Sequence, residues 1–305
     1  MDNIKAKLTV KSKSSKREMN GKIISMFCTT IIVVLVISLI GFIASKGIAI
    51  FVVDKVNIFD FLTHSVWSAD KTDSQGRPLL GALPMIVGSF GVTFLATIIA
   101  TPFAVAAAIF MTEISPKLGN KVLQPVIELL VGIPSVVYGF IGVSVVVPLV
   151  RKMFGGSGFG ILAGTFVLFV MILPTITSMS IDALKAVPRH YREAALAVGA
   201  TRWQTISRVV LKAGAPGLFT AVVFGMARAF GEALAVQMVI GNAMLLPQNL
   251  ISPASTLTSV LTMNMGNTVM GTTSNNALWS LALLLLLMSL LFNSLVKFIA
   301  KKGTL

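Results

Sequence analysis

Charge is scarce in this chain. Asp, Glu, Lys and Arg together make up 12% of its 305 residues, about half of the roughly 25% carried by a soluble globular domain. That scarcity excludes an ordinary water-soluble fold. Cysteine is scarcer still: Cys28 stands alone within an apolar run, which excludes a disulfide framework and a cysteine-based metal cluster. His64 and His190 are the only histidines, so no metal site is expected. Absent too is the Gly-x-x-x-x-Gly-Lys-Ser/Thr loop that cradles nucleotide phosphates. The chain is therefore expected to carry no catalytic residues and to hydrolyse no ATP itself.

What is present is apolar. Hydrophobic residues make up 55% of the chain and gather into runs of the ~20 residues that cross a ~30 Å hydrocarbon core. Six such runs fall at about 23–45, 85–111, 122–149, 159–181, 215–240 and 277–299, although run boundaries read this way carry errors of ~2–4 residues. The expected fold class is an all-α polytopic membrane protein with six transmembrane helices. The first span, 23–51, exceeds the ~7–15 apolar residues of a signal-peptide core, so it reads as an uncleaved anchor. Ahead of it, residues 1–22 form a basic arm too polar to fold alone, expected to be disordered or to lie on the membrane surface. A polar loop, 52–84, holds Asp54, Asp60, Asp70, Asp73 and the turn-like Gly76-Arg77-Pro78. The core, 85–300, contains a basic segment at 182–214 and an uncharged, Asn-rich loop at 241–276, and 301–305 form a short tail. That loop reads either as a re-entrant element or as a docking surface.

The net charge of +14 would suggest nucleic acid in a soluble protein. Its placement argues otherwise. With both termini inside, 18 Lys and Arg residues lie on inner segments against six on outer ones, the asymmetry of the positive-inside rule. The basic charge is thus accounted for by orientation in a bilayer, and no nucleic-acid partner is required.

Small residues mark one helix face. Ala96, Ala100, Ala104 and Ala108 recur at four-residue spacing, which stacks them on one side and permits close approach of a neighbouring backbone. The neighbour is either another helix of this chain or a second subunit. Pro102 lies among them and is expected to kink or loosen that span.

The basic segment reads as two short helices around a bend. Arg192 to Val198 has helical composition, Gly199 is placed to end it, and Thr201 is suited to cap the next helix. Two short helices and a glycine bend make a compact knob of the kind that docks into a groove.

Two charges lie inside the fifth apolar run. Arg228 and Glu232 stand four residues apart, a spacing that puts them on one helical face within mutual reach. A charge at mid-bilayer costs ~2.5–3.5 kcal/mol on insertion scales, so both are expected to face a protein interior or a water-filled path. They read either as a self-neutralising pair or as an anion contact, for which the planar guanidinium fork of Arg228 is suited. Glu128, in the third run, is a weaker candidate.

The knob and the charged run carry a family resemblance. Glu193-Ala194-Ala195, with Gly199 four positions on and Val209 and Leu211 beyond, resembles the EAA loop of ABC importer permeases. Val209 replaces the usual Ile, and Lys212 the usual Pro. Gly132-Ile133-Pro134-Ser135-Val136-Val137-Tyr138-Gly139 and the run Arg228 to Asn242 are similar to segments of PstC-type phosphate permeases.

The resemblance covers roughly residues 80–300 and implies a type I importer permease fold of the MetI kind, in a bacterial cell membrane. It implies a PstA-type partner in a heterodimer, a cytoplasmic ATPase dimer that binds ATP and Mg, and an extracytoplasmic phosphate-binding protein. Phosphate would be the cargo. Arg228 and Glu232 would line the path, with Pro134 and Ser135 as weaker candidates, and Glu193, Ala194, Ala195 and Gly199 would couple to the ATPase. The alternatives are a permease for sulfate or molybdate, and an ion-coupled secondary transporter.

Overall fold

The computed structural model describes residues 13–72 and 78–302. Lys5, Lys7 and Lys11 of the arm, Asp73, Gly76 and Arg77 of the polar loop, and residues 303–305 of the tail lie outside the described residues. Among the described residues, six helices are long and apolar enough to cross a membrane, as the composition predicts. They are α1 (Lys13–Val52), α3 (Leu83–Ile114), α5 (Ser135–Phe154), α6 (Ile161–Lys185), α8 (Arg202–Phe230) and α11 (Thr273–Lys302). Shorter helices lie between them: α2 (Ile58–Thr63), α4 (Gln124–Gly132), α7 (Arg189–Ala197), α9 (Leu234–Val239) and α10 (Leu257–Asn264).

Several boundaries differ from the sequence reading. α1 is helical from Lys13 rather than from residue 23. Lys, Arg, Glu and Met are good helix formers, and no proline interrupts 13–22, so a helix nucleated in the apolar run propagates outward at little cost. At 40 residues it is ~60 Å long, twice the ~30 Å hydrocarbon thickness. The third run is two helices, α4 and α5, divided at Ile133-Pro134. Pro134 lacks an amide and disfavours a helical residue before it, and Ile133 accordingly sits at ψ 128°. The fifth run is also divided. α8 starts far upstream, at Arg202, and stops at Phe230, and α9 follows after Gly231 to Ala233. The polar loop holds α2, capped by the Asn57 side chain, and an antiparallel hairpin of β1 (Trp67–Thr72) on β2 (Pro78–Leu80), with Trp67 opposite Leu80.

The uncharged loop folds back into the bundle. Residues 254–260 are buried, and Leu257 N donates to Ser89 Oγ of α3 at 2.9 Å. Gly88 makes the approach possible, because a Cβ there would stand 2.0 Å from Ser255 O. The buried backbone finds partners in side chains and in other backbone, with Ala254 N donating to Ile240 O at 3.0 Å, as a buried segment requires.

Apolar packing divides into three clusters along the bundle. The central one joins α3, α5, α6, α8 and α9 around Ala96, Ala100, Ala104, Leu168, Met171 and Ile172. All four alanines of the stripe, Ala108 included, are fully buried, so the small face packs within this chain. α3 remains helical through Pro102. An outer cluster joins the end of α1 to α10 and α11, with Ile50, Phe61, Met85, Leu257 and Leu281. There Asp54 accepts from Thr273 Oγ1 at 2.7 Å and from Asn276 Nδ2 at 3.0 Å, tying α1 to α11. An inner cluster of Met111, Ile127, Ile181, Leu184, Ile206 and Val210 joins the inner ends of α3, α4, α6 and α8.

Candidate functional site

Two separate places carry the residues singled out from the sequence. The first is the knob. α7 ends at Ala197, Gly199 takes φ +82°, and α8 begins after Thr201. Nothing lies within 4 Å of where a Gly199 Cβ would stand, so glycine is needed there for its backbone angle and not for space. Thr201 caps α8 through a reciprocal box: its side chain accepts from Gln204 N, and Gln204 Oε1 accepts from Thr201 N at 2.9 Å. Ala195 is buried, whereas Glu193 and Ala194 face outward. Around them Tyr191, Leu196, Val198 and Trp203 are exposed, Val198 to 85%. Large apolar groups clustered on a charged surface mark a contact site.

The knob is anchored by residues that carry no motif of their own. Arg192 forms a two-pronged ion pair with Glu113 at the inner end of α3, with Nη2 2.6 Å from Oε1 and Nε 3.1 Å from Oε2. The same guanidinium donates to Val187 O at 2.7 Å and Leu184 O at 3.0 Å, beyond and at the end of α6. Arg202 Nη2 reaches Glu113 O at 2.7 Å. The only signal in the sequence is that Glu113 is the one acidic residue in a basic inner loop.

The second place is the break between α8 and α9. The sequence predicts that Arg228 and Glu232 share one helical face, and the structure corrects this. The helix stops at Phe230, Gly231 N bonds back to Ala227 O, and no ion pair joins the two side chains. Arg228 instead donates to Thr175 Oγ1 of α6. Glu232 Oε1 accepts from Ala235 N at 3.2 Å, satisfying one of the free amides at the start of α9. Each charge therefore sits where helix dipoles favour it, the cation in a last turn and the carboxylate before a first. The Glu232 carbonyl accepts from Thr258 Oγ1 at 2.8 Å, which seats the folded-back loop on the break. Irregular backbone within a membrane bundle is tolerated where protein buries it or it lines a cavity.

Thr175 was not anticipated. It is one of several hydroxyls in an apolar span, and nothing local distinguishes it. None of the weaker candidates bonds to Arg228. Glu128 is on an exposed face of α4, held by Gln124 Nε2 at 2.8 Å. Pro134 and Ser135 form the hinge between α4 and α5, which Tyr138 Oη spans by donating to Leu130 O at 2.7 Å. Gly139 lets α5 press on α9, since a Cβ there would lie 2.6 Å from Met238 Sδ and 3.1 Å from Ala235 Cα. The Gly132–Gly139 stretch thus shapes the packing behind the break.

Residues 100–303 match the family described as binding-protein-dependent transport system inner membrane component. The chain is 52% identical to the probable ABC transporter permease protein YqgH of Bacillus subtilis (strain 168), over 93% of this chain and 91% of that protein. It is 34% identical to the phosphate transport system permease protein PstC of Pasteurella multocida (strain Pm70), over 76% of each. Among solved structures, a chain of the MetNI methionine ABC transporter in an inward-facing form aligns with a TM-score of 0.56. The identity is 18%, covering 72% of this chain and 96% of that one, which speaks to fold alone.

Proposed function

Because the chain belongs to the family of binding-protein-dependent transport system inner membrane components, we propose that it forms half of a path for phosphate, beside a PstA-type permease subunit. Membership of the family makes it a multi-pass permease of a bacterial ABC importer, a system that works with a separate ATPase and a solute-binding protein. Phosphate is the finer reading, supported by the likeness to PstC proteins.

The observation that carries it is Arg228. Its guanidinium lies partly buried within the bundle, with a neutral hydroxyl as its hydrogen-bond partner. Among the described residues no carboxylate stands within ion-pair distance of it. A permanently charged, planar donor fork left without a counter-charge is suited to the oxygens of a tetrahedral oxyanion. Glu232 lies beyond the helix break, where its negative charge favours partly protonated anions over fully charged ones.

The knob supplies the drive. ATP and Mg are held by the partner ATPase, and its closure pushes on α7 and the start of α8 through Glu193, Ala194, Ala195 and the apolar groups beside them. The Gly199 bend fixes the angle between the two helices. The push then reaches α6 and α8, the helices that carry Thr175 and Arg228.

Uptake of radiolabelled phosphate by cells lacking this chain tests the cargo. Uptake is expected to fall, to return with the wild-type chain, and to resist excess sulfate or molybdate. Unchanged uptake in the deleted cells, or full competition by either anion, would overturn the phosphate reading.

A further inference from the structure

We propose that Glu113 is a positioning residue for transport: its carboxylate holds the coupling helix α7 in line with α3, so that motion of the knob reaches the spans. The inference rests on the coupling role given to α7 above and goes beyond it by naming what transmits the push.

Buried side chains do little to hold α7. Of its nine residues only Ala195 is buried, and one methyl group contributes little apolar area to fix a helix. Its other large side chains face outward. The orientation of α7 therefore falls to Arg192, whose guanidinium makes bonds in two directions. Two carbonyls, Leu184 O and Val187 O, tie it to the end of α6, and Glu113 ties it to α3. The Glu113 side chain is 10% exposed and that of Arg192 22%, so water screens the pair weakly. A two-pronged arginine–carboxylate contact also fixes direction, because both planes must match.

Glu113 does more than pair. Its backbone carbonyl takes Arg202 from the first turn of α8, so one residue fastens both arms of the knob, on either side of Gly199. Behind it, α3 packs along α6 through the alanine stripe, where the close approach of small residues leaves little room for slip. A charged cleft of about 430 Å³, lined by Lys185, Arg189, Arg192, Glu113 and Glu193, opens beside the joint. With Glu113 neutral, α7 loses its charged tie to α3 and keeps its bonds to the end of α6 and its packing on the start of α8, which leaves it freer to swing into that cleft under load.

The test uses the assembled permease–ATPase complex in proteoliposomes, comparing wild type with Glu113→Gln and Glu113→Asp. Glu113→Gln is expected to keep the ATPase bound and hydrolysing near the wild-type rate. Phosphate moved per ATP should fall on the order of tenfold, the effect of losing one charge-assisted hydrogen-bonded pair on an equilibrium. Glu113→Asp, which keeps the charge, should recover part of the ratio. A wild-type ratio in Glu113→Gln, or release of the ATPase from it, would overturn the proposal.

Amide hydrogen exchange over 189–202 gives a second arm that needs no substrate. Exchange should rise in Glu113→Gln, and unchanged exchange would count against the joint. If the wild-type complex moves no phosphate, the cargo reading fails and the exchange arm alone decides the role of Glu113.

Discussion

Two arginines, Arg192 and Arg228, face opposite circumstances in one chain. All three guanidinium nitrogens of Arg192 are engaged, by a carboxylate on one side and two backbone carbonyls on the other. Arg228 has a single neutral hydroxyl. The difference separates a joint from a site. A guanidinium neutralised by its own carboxylate has little charge left to offer an anion, whereas one left without a counter-charge inside a bundle retains that attraction. The helix break at Gly231 creates the second condition. It carries Glu232 away from Arg228 and gives its carboxylate a backbone amide instead.

The comparison can be broken from either side. Replacing Ala195 with Trp should have the larger effect. A bulky ring at the one buried position of α7 tilts the knob off its bed, and overpacking of this kind costs roughly 1–3 kcal/mol. Co-purification of the ATPase should drop to background while the chain still enters the membrane, and undiminished co-purification would count against a docking role for α7. The smaller effect belongs to Thr175→Val, which removes the one hydrogen bond to Arg228 and keeps the shape. A net hydrogen bond contributes ~0.5–1.5 kcal/mol, so the substrate concentration for half-maximal uptake should change by about two- to tenfold, with ATPase binding unaffected. A shift beyond a hundredfold would make Thr175 a substrate contact in its own right.

The contrast was only half legible in the sequence. The six spans are written in apolar runs whose length matches a bilayer, and the knob in Gly199 and Thr201, whose local chemistry stops and starts helices. Those signals are local, and they appear in the structure where the residues place them. The Arg228–Glu232 pairing was read from helical spacing, which assumes an unbroken helix. Gly231 removes that assumption, and the folded-back loop that seats Thr258 on the break lies 26 residues away. Pro134 breaks the third run, yet the apolar residues on both sides of it read as one span.

The Glu113–Arg192 pair spans 79 residues. No periodicity within a single segment reports such a contact, which depends on how α3 and α6 pack along the alanine stripe. In this chain the existence of a span and the caps of the knob are local facts, while the partner of a charge is a tertiary one.

The most direct test of the contrast is Arg228→Ala in the reconstituted complex, with ATP-driven uptake of radiolabelled phosphate and ATPase co-purification measured on the same sample. The account predicts a complex that assembles fully and transports at background. Wild-type uptake by that complex would contradict it, because an arginine dispensable at the break is no anion contact.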